Sequence, residues 1–163
     1  MEKLRLPVVS LSAEYLVIGN LMRRNILAYK APPNNEGYDL ICIHSDPMKV
    51  SKQLRIQVKS RYATDHNHAF PVKAKSLGAF DFLIIAFLNI GYFYRKLLSR
   101  QGRKEPEFFT LPRKFVEVHH RIGSKGWEMV RTRGVDMTRY RNETGFDLIA
   151  KKLSIPYPER TEG

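Results

Sequence analysis

The sequence predicts a single α/β domain with a central mixed sheet flanked by helices. Three observations lead there. An amphipathic helical stretch near the start is followed by short β-rich runs separated by turn residues. A nearly continuous apolar run, residues 81–88, lies between Gly78 and Gly91 and reads as a strand buried on both faces. Helical patterns return after Pro112 and again after Asn142. The 163 residues suffice to bury one core, and a hydrophobic fraction of 43% is that of a globular domain.

Ser12 is placed to cap a helix over residues 13–25, with Leu11, Tyr15, Ile18 and Met22 recurring on one face. Glu14 falls in its first turn, where a carboxylate complements the helix dipole. Residues 25–31 read as a first strand, stopped by Pro32-Pro33. The turn at 33–37 leads to a second strand at 38–44, and a polar loop at 45–52 precedes a third at 54–60. This is a helix followed by a meander.

Residues 61–69 form a polar loop, and 71–79 read as an extended piece and then a turn or short helix. Beyond the buried strand, Tyr92-Phe93-Tyr94-Arg95-Lys96 with Arg100, Arg103 and Lys104 is aromatic and then basic, an insertion between sheet strands. Residues 107–111 supply a fifth strand, and Pro112 opens a helix reaching about Ile122. A strand at 127–132 and a closing helix at 142–153, with Phe146, Ile149 and Leu153 apolar, finish the domain. The core then covers about 10–122 and a C-terminal extension about 123–155. A tail at 156–163, set off by Pro156 and Pro158, is expected to be mobile.

No apolar run is long and uncharged enough to span a bilayer, and residues 1–5 lack a signal-peptide core. The single cysteine, Cys42, excludes an intramolecular disulfide. Its apolar strand makes it a buried structural thiol rather than a nucleophile, and this usage fits a reducing cytoplasm. A net charge of +12 and a pI of about 10.0 call for a polyanionic partner, and nucleic acid is the commonest.

The residues that carry chemistry sit on the second and third strands. Asp39 lies on one, and Gln57-Val58-Lys59 lies within Leu54-Arg55-Ile56-Gln57-Val58-Lys59 on the next. Strand side chains alternate, so Gln57 and Lys59 share a face. Phosphodiester hydrolysis needs a cation on the phosphate, hard oxygen ligands to hold it, and a positive group for the developing charge. Asp39 can supply a bridging carboxylate and Glu14 a second from the helix. Gln57 offers a neutral amide oxygen, and the Val58 carbonyl another. Lys59 can contact the attacking water or the phosphate oxygens. Magnesium fits an oxygen-only set, with manganese as a substitute.

Taken in order, Glu14, Gly37-Tyr38-Asp39-Leu40 and Ile56-Gln57-Val58-Lys59-Ser60 resemble the PD-(D/E)XK nuclease superfamily. That superfamily has the restriction-endonuclease-like fold and includes archaeal Holliday-junction resolvases and some homing endonucleases. The resemblance covers roughly the first ninety residues, including Phe80-Asp81-Phe82-Leu83. It implies an α-β-β-β-α-β core and metal-dependent cleavage of DNA. By motif position Glu14 matches the helix acid, Asp39 the strand aspartate, Gln57 the second acidic position and Lys59 the catalytic lysine. Tyr38 stands where the family carries proline, which touches no chemistry. Gln57 stands in place of Asp or Glu, as in family members of the I-Q-V-K form. It removes one negative charge and implies weaker metal binding, with Glu14 compensating. The alternative is a nucleic-acid-binding protein that keeps the fold and has lost catalysis.

Asp65-His66-Asn67-His68 reads as a polar loop with incidental histidines, because no further ligand stands at a fixed spacing. Its place after the lysine strand lets Arg61, His66 and His68 reach a phosphate. Tyr92 to Tyr94 with Arg95, Lys96 and Arg100 fits base stacking and phosphate binding as well as it fits packing. Arg131, Arg133, Arg139 and Arg141 form a second basic cluster. DNA is the expected partner, although charge alone does not distinguish it from RNA. One site cuts one strand, so a homodimer is the simplest arrangement for cutting both.

Overall fold

A computed structural model describes residues 8–64, 67–91 and 102–159. Most of the expected 92–104 insertion lies outside these residues, as do His66, Arg95, Lys96 and Arg100. Helix α1 (Val9–Arg23) leads into β1 (Ile26–Lys30), β2 (Leu40–His44) and β3 (Leu54–Arg61). These three strands form an antiparallel meander with Ala28 opposite Cys42 and Leu40 opposite Ile56. The chain then crosses through a short strand β4 (Ala69–Pro71) and a 3-10 turn at Ala74–Ser76. Strand β5 (Phe82–Phe87) runs parallel to β3, with Gln57 opposite Leu83 and Lys59 opposite Ile85. After a two-stranded ribbon of β6 (Ile90–Gly91) and β7 (Gly102–Arg103), β8 (Glu107–Pro112) pairs antiparallel with β5. Helix α2 (Arg113–His119), β9 (His120–Ile122), β10 (Glu128–Arg131) and α3 (Asn142–Lys152) complete the order.

The main sheet is five-stranded and mixed, in the order β1-β2-β3-β5-β8, and a three-stranded sheet β4-β10-β9 lies apart from it. Strand alternation gives the main sheet two apolar faces. Ala28, Leu40, Ile56 and Ile84 pack beneath Ala13, Val17 and Leu21 of α1 and Phe146 and Ile149 of α3. Leu83, Ile85, Phe87, Phe109 and Leu111 pack against Phe70, Val116 and Val130, from β4, α2 and β10. All six residues of β5 are buried, as a strand covered on both faces must be. Cys42 is buried too, and desolvation pushes its thiol up to about 12, so it is inert at neutral pH. Among the described residues no helix is long and apolar enough to cross a membrane.

Several details depart from the sequence reading. Helix α1 starts at Val9, and Ser12 lies inside it with its hydroxyl donating to the Val9 carbonyl at 2.7 Å. Its buried stripe is Ala13, Val17 and Leu21, whereas Leu11, Tyr15 and Met22 are exposed. Both stripes have helical spacing, and the small one lets the helix approach the sheet closely. The crossover from β3 to β5 carries β4 and a 3-10 turn where the family order has a helix. The helix expected to reach Ile122 ends at His119, because β10 recruits residues 120–122 as β9. Residues 123–155 are integral to both apolar layers, and the start of the expected mobile tail is tethered. Arg24 donates to the Pro156 carbonyl at 2.9 Å, and its guanidinium lies 4.8 Å from the centre of the Tyr157 ring.

Candidate active site

On β3, Leu54, Ile56 and Val58 turn toward the helices, which leaves Gln57 and Lys59 on the opposite face. The second sheet does not close over them. A cleft of about 580 Å³ remains, and Asp39, Gln57 and Lys59 all line it.

Asp39 is fixed from both sides. Its N–H donates to the Ile56 carbonyl and its own carbonyl accepts from the Ala31 N–H, each at 2.8 Å. The β2–β3 ladder ends at Leu40 opposite Ile56, so the Val58 N–H is left for the Asp39 carboxylate. Oδ2 accepts from that N–H at 2.7 Å and from the Gln57 side-chain amide at 2.8 Å. Turning the amide over would set two acceptors against each other, so the carboxylate oxygen dictates its orientation. Oδ1 of Asp39 and the Gln57 carbonyl oxygen accept no hydrogen bond among the described residues. The turn before Asp39 requires glycine. Gly37 has φ +93°, and a Cβ there would sit 2.4 Å from the Ala79 Cβ.

Electrostatics couple these groups. Burial holds the Asp39 carboxyl above the ordinary aspartate value, the Val58 N–H opposes that shift, and the Glu14 charge reinforces it. Burial also holds Lys59 below the ordinary lysine value, with the Asp39 charge opposing and Arg61 adding to the depression. The Asp39 effect on Lys59 and the Lys59 effect on Asp39 have the signs of an attracting pair.

Glu14 does not line the cleft. It forms an ion pair with Lys30 at 2.8 Å, and the Lys30 ammonium lies 5.3 Å from the centre of the Tyr15 ring. Its charge acts on Asp39 and helps hold that carboxyl up. The oxygens available for a hard cation are therefore Asp39 Oδ1, the Gln57 carbonyl and, after release from Lys30, Glu14. That donor set suits magnesium, which keeps several waters and needs only one or two carboxylates beside a phosphate. Among the described residues no group of three or more His, Cys, Asp or Glu side chains is placed to hold a metal.

Of the other sequence-derived candidates, Val58 donates its N–H to the Asp39 carboxylate, and in a strand its carbonyl points to the same side as that N–H. Arg61 is committed to the fold. It donates to the Ala69 and Ser60 carbonyls, and its guanidinium lies 4.7 Å from the centre of the Phe70 ring. His68 bonds the Thr64 carbonyl at 2.6 Å and packs beside Phe87. Arg61 Nε is buried and has no hydrogen-bond partner among the described residues. In the second basic cluster Arg141 pairs with Glu107 at 3.5 Å.

Sequence reasoning missed the far wall of the cleft. Lys73 and Lys75 come from the crossover, and Trp127 and Glu128 from the start of β10. All lie far from Asp39 along the chain; the crossover carries the lysines back to Gly37, and the pairing of β10 with β4 brings in Trp127 and Glu128. The one available signal was Gly126-Trp127, a bulky aromatic next to a turn glycine.

No family model matches this chain, and no curated protein matches it. Among solved structures its fold is similar to that of a bacterial homing endonuclease, with a TM-score of 0.52 and 17% identity over 92% of this chain and 94% of that one. At that identity the likeness is one of fold, and it extends over nearly the whole of both chains.

Proposed function

We propose that this protein is a divalent-metal-dependent DNA endonuclease of the PD-(D/E)XK type. The observation that carries the reading is the meeting of Asp39, Gln57 and Lys59 in one cleft of a fold similar to that of a homing endonuclease. In this reading Asp39 and Gln57, aided by Glu14, hold magnesium or manganese. The bound cation polarises the phosphate and acidifies a water. Two donors hold Oδ2 of Asp39, which leaves Oδ1 for the cation in this reading. Lys59 supplies positive charge to the non-bridging phosphate oxygens and orients the water. In the balanced step water adds at phosphorus, one P–O ester bond breaks, and the leaving oxygen takes a proton. A symmetric dimer would present two such sites, one for each strand.

A second reading rests on one observation. The Gln57 amide already occupies Oδ2, and Asp39 has no second carboxylate beside it on β3. This is also how a nuclease fold that only binds nucleic acid would look. Nicking of supercoiled plasmid with magnesium or manganese separates the two. The wild type should nick, and Asp39→Ala and Lys59→Ala should each lose 10²-fold or more, roughly the effect of removing one group that stabilises developing charge. Equal activity in all three proteins would refute the site. Binding without cleavage on supercoiled, duplex and branched DNA would leave the binding-only reading.

A further inference from the structure

The far wall of the cleft holds a second set of groups that phosphodiester hydrolysis does not require. Trp127 leaves 65% of its surface in water, although it is the chain's single tryptophan and a large apolar body. It lies where the β9–β10 hairpin returns, and the turn is closed by the Gly123 N–H donating to the Trp127 carbonyl at 2.8 Å and the Gly126 N–H donating to the Gly123 carbonyl at 2.9 Å. Gly126 takes φ +77°, so the backbone beneath the indole is fixed by the turn. Beside it, Lys73 and Lys75 are exposed and form no ion pair among the described residues. Glu128 is tied back, accepting from the Ala74 N–H at 3.2 Å. Glu36 also lines the cleft, one residue from Gly37, which packs against Ala79 and Ser76.

An exposed indole beside two unpaired lysines matches a nucleotide: a flat apolar face for the base and cations for its phosphates. The lysines and the indole line the same cleft as Asp39 and Lys59, so a strand held by them would pass the hydrolytic residues. In an intact duplex the face of each base is covered by its neighbours. An indole can stack only on a base that is unpaired, at an end or branch, or unstacked by the protein.

We infer that Trp127 is a base-stacking residue and that Lys73 and Lys75 hold the adjoining phosphates, so that the cleft takes DNA whose strand is unpaired beside the scissile bond. This rests on the nucleic-acid reading of the cleft and adds the substrate class to it.

The test uses the full chain in EDTA, so that nothing is cut. Trp127 is the only tryptophan, so intrinsic emission reports this one position. A single-stranded oligodeoxynucleotide should change the emission saturably, a blunt duplex should do so less, and inorganic polyphosphate, which has no bases, should not. Trp127→Ala should weaken single-strand binding roughly 5- to 150-fold by fluorescence anisotropy, the usual range for losing one stacked base. Trp127→Phe should restore most of it, and neither change should alter binding of polyphosphate. Lys73→Gln should weaken both probes. If the oligonucleotide binds with unchanged emission and Trp127→Ala binds like the wild type, the stacking role is wrong while the nuclease reading stands. Base-dependent emission changes in a protein that never nicks plasmid would leave the stacking site and remove the nuclease reading. Tighter binding of an oligoribonucleotide of the same sequence would overturn DNA as the substrate class.

Discussion

Gln57→Glu tests the central geometry most sharply, because it changes sign with the presence of a cation. The substitution replaces an amide donor, 2.8 Å from Asp39 Oδ2, with a second carboxylate in nearly the same volume. Without metal, a hydrogen bond is lost and two negative charges face each other. Two like charges about 4 Å apart at an effective dielectric constant of about 20 repel by ~4 kcal/mol. Proton uptake by one of them caps the penalty, so a net loss of about 2–4 kcal/mol is expected. Burial already holds Asp39 above its ordinary value, and the new charge acts in the same direction. At about 2–4 °C per kcal/mol for a chain of this length, Tm should fall by roughly 4–16 °C. Magnesium or manganese should then raise Tm of the variant more than that of the wild type, because two carboxylates now hold the cation. Thermal melts in EDTA and in a metal titration measure both effects. A variant as stable as the wild type in EDTA and indifferent to metal would show that residues 57 and 39 do not share a cation site.

Other outcomes follow from the same structure. Lys59 is held below the ordinary lysine value near 10.5, so its charge destabilises the fold at every pH below its folded value, and the penalty is relieved as pH rises from there toward 10.5. Lys59→Met should therefore raise Tm at neutral pH while abolishing nicking, and melts should show that advantage shrinking on the alkaline side. If the Lys59 charge is required, the wild-type pH–rate profile should fall below pH 10.5, and Lys59→Arg should shift or remove that limb. Gly37→Ala forces a Cβ to within 2.4 Å of Ala79 at a positive φ, and should cost about 1–3 kcal/mol in denaturant melts and loosen Asp39. Ile84→Ala, in the fully buried β5, should cost about 2–5 kcal/mol by the same measurement. Binding of DNA should weaken steeply with salt, and each lysine removed from the Lys73–Lys75 wall should lower the slope of log K against log salt by about 1.

The sequence alone determined the α/β class, the five strands of the main sheet within one or two residues at most ends, and the pairing of Gln57 with Lys59 on one face. These follow from local rules: period-two alternation, a buried apolar run, and proline and glycine punctuation, all written in neighbouring residues. What the sequence left open was every choice between equivalent local patterns. Leu11-Tyr15-Met22 and Ala13-Val17-Leu21 are both helical stripes, and only the close approach of α1 to the sheet selected the smaller one. Arg61 and His68 read as candidates to contact a phosphate, and the fold packs the Arg61 guanidinium on Phe70 of β4 and the His68 ring beside Phe87. Trp127 had no link to Asp39 until β10 paired with β4, nor had Lys73 and Lys75 until the crossover packed against Gly37. Pairing between distant strands is decided by which apolar faces must be covered together, a property of the whole packed chain that no short window of residues contains.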